Sequence, residues 1–197
     1  AQATISFNIT SSDTSEVSTA TLKTGLVCIG SSNDITYTFS IPDDITTTVT
    51  PQFSEGNRSG YTASFNSITV FQGTLIKKRF VVDGSLDQRF ILDNPFIDTS
   101  TIVVYVKGTS DKGRGTLYTK VDNILNIDST SSTYLIQEVQ DEKYELLFGD
   151  GIFGRKLDNE SIIEVSYIVT DGKDGNGPST FSYAGNIEND SGEPSTI

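Results

Sequence analysis

Apolar and polar residues alternate in short runs along most of this chain, and turn-forming residues separate the runs. A two-residue alternation is typical of a β-strand with one buried face. Dipeptides such as Gln72-Gly73, Asp83-Gly84 and Asn94-Pro95 end successive runs in the way that turns do. The pattern predicts ten strands, over residues 3–9, 35–40, 45–49, 61–71, 74–82, 88–93, 101–107, 133–139, 143–148 and 161–170.

Helix signals are few. Residues 14–26 are compatible with one short helix, with Thr14 or Ser15 as its N-cap and Gly25 as its stop. Residues 121–127 are ambiguous between a helical turn and an irregular edge. Neither segment is long enough to form a helical layer, and short connections favour antiparallel pairing. The sequence therefore predicts a mainly β fold, with antiparallel sheets packed as one or two small sandwich-like domains and few short helices.

Three breaks in the alternation divide the chain into four regions. The breaks are SEGNRSG near residues 56–60, the glycine-rich and charged GTSDKGRG near 108–115, and the polar stretch that begins at Asp171. We expect the tail to be loosely held unless a partner orders it. The predicted regions are an N-terminal β-rich region (1–59), a central β region (60–110), a second β region (111–172) and an extended polar tail (173–197).

The charge balance narrows the choice of partner. The chain has 26 acidic and 14 basic residues and a net charge of −12, so it lacks the cationic surface that neutralises phosphates. We expect no nucleic-acid partner. The cluster Lys77-Lys78-Arg79 has two interpretations, a solvated strand face that protects a sheet edge or a contact with an anionic partner, and the first is favoured. No apolar run approaches the ~18 residues that span a bilayer, so we expect no membrane insertion.

The residues that usually carry catalysis are scarce. The chain has no histidine, which removes the commonest acid–base group and metal ligand. The single cysteine, Cys28, lies among apolar neighbours in GLVCIG, where a buried structural thiol is expected. A pair of carboxylates that catalyses glycoside hydrolysis is an alternative that stays open, but no motif in the sequence marks such a pair. The sequence predicts no enzyme activity and no catalytic, cofactor-binding or metal-binding residues.

Two glycine-rich loops contain aspartate. In YELLFGDGIFG (144–154) the residues Gly149, Asp150, Gly151 and Gly154 predict a structural turn, with Ile152-Phe153 tucked beneath it. A phosphate cradle would need a helix start beside the glycines, and none follows. In DGKDGNG (171–177), Lys173 occupies a position where a calcium loop needs an oxygen ligand, so a flexible turn is favoured.

Four segments follow one another in an order that resembles a known family. They are residues 68–73, 89–107, 133–172 and 175–177, and the resemblance covers about residues 60–180. The order is similar to that of the baseplate wedge proteins of T-even-type contractile-tailed phages and, more loosely, of the baseplate J-like family. The most specific piece is a strand, FGDG, an apolar pair, glycine, a basic residue and a second long strand. The second most specific piece of the resemblance is NPFIDTSTI, at residues 94–102.

This resemblance implies a structural subunit of the virion. Such wedge proteins pair with copies of themselves and with neighbouring wedge proteins, in a ring around the central hub that rearranges when the sheath contracts. The implied location is the tail baseplate of a virion made in the host cytoplasm. Chains of that family are several hundred residues longer, and this one starts at Ala1 without methionine, so we expect a β-rich middle portion. A host-binding fibre or adhesin domain is the alternative, and a glycan-degrading tail enzyme is a third hypothesis.

Overall fold

The computed structural model describes residues 1–85, 87–123, 125, 127–190, 192 and 194. The mainly β fold is confirmed, because fifteen strands in this described part form two sheets. Two short 3₁₀ turns, Gln140–Glu142 and Gly172–Gly175, are its helical elements. The chain divides into two compact units, which we call unit 1 (Ala1–Leu75 with Thr170–Ile197) and unit 2 (Ile76–Val169).

The strands are numbered in chain order. They are β1 (Gln2–Ser11), β2 (Thr19–Leu22), β3 (Gly25–Ser32), β4 (Ile35–Ile41), β5 (Ile45–Ser54), β6 (Asn57–Gln72), β7 (Thr74–Val81), β8 (Phe90–Leu92), β9 (Ile97–Lys107), β10 (Thr116–Lys120), β11 (Thr133–Val139), β12 (Lys143–Phe148), β13 (Ile162–Val169), β14 (Phe181–Tyr183) and β15 (Ile187–Asn189).

Unit 1 is built around the long strand β6. Its sheet runs in the order β14-β3-β4-β6-β5-β2-β15, and β1 also pairs with β6 in antiparallel register. Alternate residues of each strand lie on one face, and the apolar ones form the core. The largest buried side chains of this core include Leu22, Ile41, Tyr61, Phe65 and Val70.

Unit 2 contains a curled sheet. Its order is β7-β13-β9-β10-β11-β12-β8, with antiparallel pairs except for a two-residue parallel contact between β10 and β11. The first and last strands approach each other, because the rings of Phe80 and Phe90 lie 5.6 Å apart and Lys78 pairs with Asp93. The sheet is therefore close to a barrel. Its core includes Leu92, Val104, Leu146, Ile163, Val165 and Tyr167.

The ten predicted strands are confirmed, but the predicted helix over residues 14–26 is wrong. Thr19–Leu22 is strand β2, which pairs with Thr48–Ile45 of β5, and Gly25 begins β3. Ala20 and Leu22 are fully buried, so pairing and burial outweigh the weak helix propensity of this segment. Strands β3 and β10 were not predicted either. The ambiguous segment 121–127 includes Ile124 and Asn126, which lie outside the described residues.

The polar stretch after Asp171 also differs from expectation. Strand β14 pairs with β3, β15 pairs with β2, and Ile187 is only 3% exposed in the core of unit 1. The expectation of a loosely held tail is therefore wrong for residues 181–189. The division into four sequence regions stays a prediction. Within the described residues, no helix is long and apolar enough to span a membrane.

Candidate functional site

The loop after β12, residues 149–154, is a closed turn stabilised by backbone hydrogen bonds, and we call it the elbow. The amide of Gly151 donates to the carbonyl of Gly154 at 3.0 Å, and Gly149 forms a bridge with Lys156. Gly151 and Gly154 have φ of 94° and 91°, in the region that favours glycine. A Cβ on Gly149 would lie 2.2 Å from the carbonyl carbon of Gly154. The glycines therefore allow a close approach of two backbone segments.

The carboxylate of Asp150 organises the interior of the elbow. Its Oδ1 accepts hydrogen bonds from the amides of Ile152 and Phe153 at 2.8 and 2.9 Å. The amides of Phe153 and Ile152 thereby hold the pKa of Asp150 below the ordinary aspartate value of 3.8. The Asp150 carboxylate therefore accepts its hydrogen bonds from within its own loop. The four predicted turn residues thus lie together, and a purely structural role for them stays a prediction.

The apolar pair of the elbow is not tucked beneath the turn as expected. Ile152 is 68% exposed and Phe153 is 51% exposed. Their amides face the Asp150 carboxylate, so the polar interior of the turn is already occupied and the side chains lie in solvent. The elbow displays two large apolar groups on a backbone that is closed by hydrogen bonds. Two adjacent exposed apolar side chains offer a small apolar surface for a contact with another protein.

A second loop, at residues 128–131, supports the elbow and was not predicted. The carbonyl of Asp128 accepts the amide of Gly154 at 3.0 Å, and the carbonyl of Ser131 accepts the amide of Arg155 at 2.9 Å. Oδ1 of Asp128 accepts from the hydroxyl and the amide of Thr130. These bonds, the hydroxyl of Thr130 first, lower the pKa of Asp128. The run Asp128-Ser-Thr-Ser is a turn signal that could have indicated this loop.

The loop at residues 171–177 contains the predicted turn, but its first residue is anchored by a buried glutamine, which a flexible turn would not be. Gln72, 1% exposed, donates from Nε2 to Oδ2 of Asp171 at 2.7 Å. Its Oε1 accepts from the Thr170 hydroxyl at 2.8 Å and from the Asp171 amide at 3.1 Å. A Cβ on Gly175 would lie 2.5 Å from Cγ of Gln72. Asp171 thus accepts the hydrogen bond that the buried side-chain amide of Gln72 donates.

Two further acidic turns and the single cysteine contain groups that bind metal ions in other proteins, and each has a structural explanation here. Oδ2 of Asp44 pairs with Lys23 at 2.7 Å. Asp141 and Glu142 form an exposed turn with φ of 64° and 56°. Cys28 is 2% exposed, and burial raises its pKa to about 11, as expected of a structural thiol. Within the described ranges, no group of three or more His, Cys, Asp or Glu side chains is placed to hold a metal ion.

The basic cluster of β7 is divided between two faces of the strand. Lys78 lies on the same side as Phe80, pairs with Asp93 and approaches the Phe80 ring to 5.4 Å from its centroid. Lys77 and Arg79 lie on the opposite side and are exposed. The sequence indicated a cluster of three cations, and the structure separates one structural lysine from two surface cations.

The fold and its loops define a mainly β protein of two units, each with its own core, and an apolar pair is exposed on the hydrogen-bonded elbow. No model of a known protein family matches the chain. Among curated proteins, it is similar to the baseplate wedge protein gp6 of Enterobacteria phage T4, with 29% identity over 140 residues. That similarity covers 64% of this chain and 20% of the T4 protein. The chain thus spans about a fifth of the length of this relative.

Proposed function

We propose that this chain is a non-enzymatic structural part of a phage tail baseplate. In this proposal it belongs to a wedge protein of the baseplate J-like kind, in the ring around the central hub that rearranges on sheath contraction. The observation that carries the proposal is the 29% identity with a baseplate wedge protein over 140 residues. Because the chain spans about a fifth of that relative, the role of the whole protein is itself part of the proposal.

The architecture supports a role that depends on surfaces. Each unit has its own buried core, and the aspartates of both glycine-rich loops accept hydrogen bonds within their own unit. A building block needs stiff units and exposed contact groups, and an interface of about 800 Å² per partner requires no diagnostic motif. The partners in this proposal are further copies of the chain and neighbouring wedge proteins.

The elbow is the contact element in this proposal. Ile152 and Phe153 are exposed, and the Asp150 carboxylate and the bond between Gly151 and Gly154 restrain the backbone that carries them. A restrained loop loses little conformational entropy on binding, so its apolar groups contribute more of their burial energy to affinity. We propose that a neighbouring subunit covers this pair in the assembled baseplate. The elbow then serves both as a turn and as an anchor.

The location is tested by immunogold electron microscopy with antibody raised against this chain. Intact and contracted virions of the phage that carries the sequence are labelled side by side. Gold confined to the baseplate is the expected result. Gold on distal fibres would instead assign the chain to a host-binding domain, and particles without label would contradict a virion role.

A further inference from the structure

A cationic cleft lies on the face of the unit 2 sheet that is turned away from the core. Its volume is about 240 Å³, and Lys77 and Arg79 of β7 form one wall. Arg114 stands at the other side, with Tyr105 and Glu164 between them. We use the name cationic cleft for these five residues. Lys77, Arg79 and Glu164 are exposed.

Strand register brings the members of the cleft into one row. Glu164 of β13 lies opposite Tyr105 of β9, and Tyr105 lies opposite Leu117 of β10. The neighbouring residues Val104 and Val165 belong to the core, so these three residues lie on the outer face. Leu117 is 51% exposed. Across the sheet from β13 to β10, the row therefore presents a carboxylate, an aromatic ring and an aliphatic group.

Arg114 is held in place by an aromatic contact. Its guanidinium carbon lies 4.1 Å from the centroid of the Tyr105 ring. The contact restrains the guanidinium beside the ring and adds its positive charge to the cleft.

The three cations of β7 differ in their ion pairing. Lys23, Lys78 and Arg89 each pair with a carboxylate. In the part of the chain that the structure describes, neither Lys77 nor Arg79 has a carboxylate within ion-pair distance. Lys77 and Arg79 therefore complement an acidic group at short range, within a chain whose net charge is −12.

We infer that the cationic cleft binds an extended acidic peptide segment of a partner protein. The four strands β7, β13, β9 and β10 span three spacings of about 4.8 Å, a distance that about four extended residues cover. A side-chain carboxylate at one end of such a segment meets Lys77 and Arg79 of β7. Glu164 accepts hydrogen bonds from its amides. This inference is independent of the proposed function, because it concerns a surface of the isolated chain.

A peptide fits the cleft better than a nucleic acid. Glu164 lies among the cations and would face the phosphates of a bound strand, where each nucleotide adds a charge. The acidic surface of the whole chain adds repulsion. A peptide such as Glu-Ala-Glu carries carboxylates only at alternate positions. Its backbone amides donate to Glu164, and its apolar side chains pack on Leu117.

The test uses the full chain and a labelled, end-blocked peptide with the sequence Glu-Ala-Glu-Ala-Glu-Ala. Fluorescence anisotropy measures its Kd at about 10 mM salt, where the Debye length is about 30 Å. We expect binding that Lys77→Glu with Arg79→Glu weakens at least about tenfold, and that 1 M salt abolishes. The variant Lys120→Glu with Lys173→Glu has the same net charge and lies outside the cleft, so it should keep most of the affinity. Thermal unfolding checks that both variants are folded, and Lys77→Gln with Arg79→Gln repeats the test without charge reversal.

Three results would overturn the inference. One is equal affinity for the matching Gln-Ala-Gln-Ala-Gln-Ala peptide, because the carboxylates would then be irrelevant. Another is an equal loss in the Lys120 and Lys173 variant, which would attribute binding to net charge alone. The third is tighter binding of a six-residue thymidine oligonucleotide that depends on Lys77 and Arg79, which would assign the cleft to nucleic acid.

Discussion

The elbow at residues 149–154 and the loop at residues 171–177 look alike in sequence and use their residues in opposite ways. Both place aspartate beside glycine after a strand. In the loop of unit 1, Asp171 bonds to the buried Gln72, so the loop is fixed to its own core. In the elbow of unit 2, Asp150 bonds to the amides of Ile152 and Phe153, and the apolar side chains remain in solvent.

This difference shows what a glycine–aspartate pattern can and cannot indicate. It indicates a turn, because glycine adopts positive φ and aspartate accepts nearby amides. It does not indicate whether the turn stabilises its own unit or displays groups to a partner. That depends on whether a buried polar group, such as Gln72, lies within reach of the loop.

The largest effect should come from Gln72→Ala. The substitution removes a fully buried side chain and three hydrogen bonds to residues 170 and 171. We expect unit 1 to lose about 2–4 kcal/mol of unfolding free energy, measured by urea denaturation. The control, Gln52→Ala, changes an exposed glutamine of the same unit and should cost about 0.5 kcal/mol or less. Equal losses in the two variants would show that Gln72 does not fix the loop.

Gly149→Ala should have the next largest effect. The new Cβ would lie 2.2 Å from backbone of Gly154, so the two arms of the elbow must move apart. Overpacking of this kind costs about 1–3 kcal/mol, which thermal unfolding of the purified variant would detect. Gly113→Ala is the matched control, because a Cβ there meets nothing within 4 Å. An elbow that tolerates the Gly149 change as well as the Gly113 change would not be closed as described.

A smaller and pH-dependent effect is expected for Asp150→Asn. The amides of Phe153 and Ile152 lower the pKa of Asp150 in the folded chain, so the ionised form stabilises the elbow. This contribution is fully present above the ordinary value of 3.8 and is lost as pH falls through the lowered pKa. The difference in Tm between wild type and variant should therefore shrink below that pH. A difference that stays constant with pH would exclude the carboxylate charge as its cause.

The smallest effect on stability should come from Ile152→Ser with Phe153→Ser. Both side chains are exposed, so we expect a change of about 0.5 kcal/mol or less. The contrast is Ile163→Ser, at a site that is 0% exposed in the same unit and should lose several times more. A large loss in the elbow variant, seen by urea denaturation, would mean that the pair packs within the chain.

Much of the fold could be predicted from the alternation of residues, because strands with one buried face repeat every two positions. Strand β2 was not predicted, because four residues are too few to show an alternating pattern. Pairing with β5 is what makes them a strand. The role of Gln72 had no local signal, because its partner Asp171 lies 99 residues away. The elbow was predicted as a turn from Gly149-Asp150-Gly151. The exposure of Ile152 and Phe153 was not, because burial of a turn residue follows no period.

We propose that the elbow presents Ile152 and Phe153 to a neighbouring subunit of a baseplate. The most direct measurement is the amount of this chain, by quantitative mass spectrometry, in purified virions that carry Ile152→Ser with Phe153→Ser. We expect the chain to be strongly depleted from these particles, or no complete particles to form, although the purified variant unfolds at the wild-type temperature. Incorporation at the wild-type level into complete, contractile particles would contradict it.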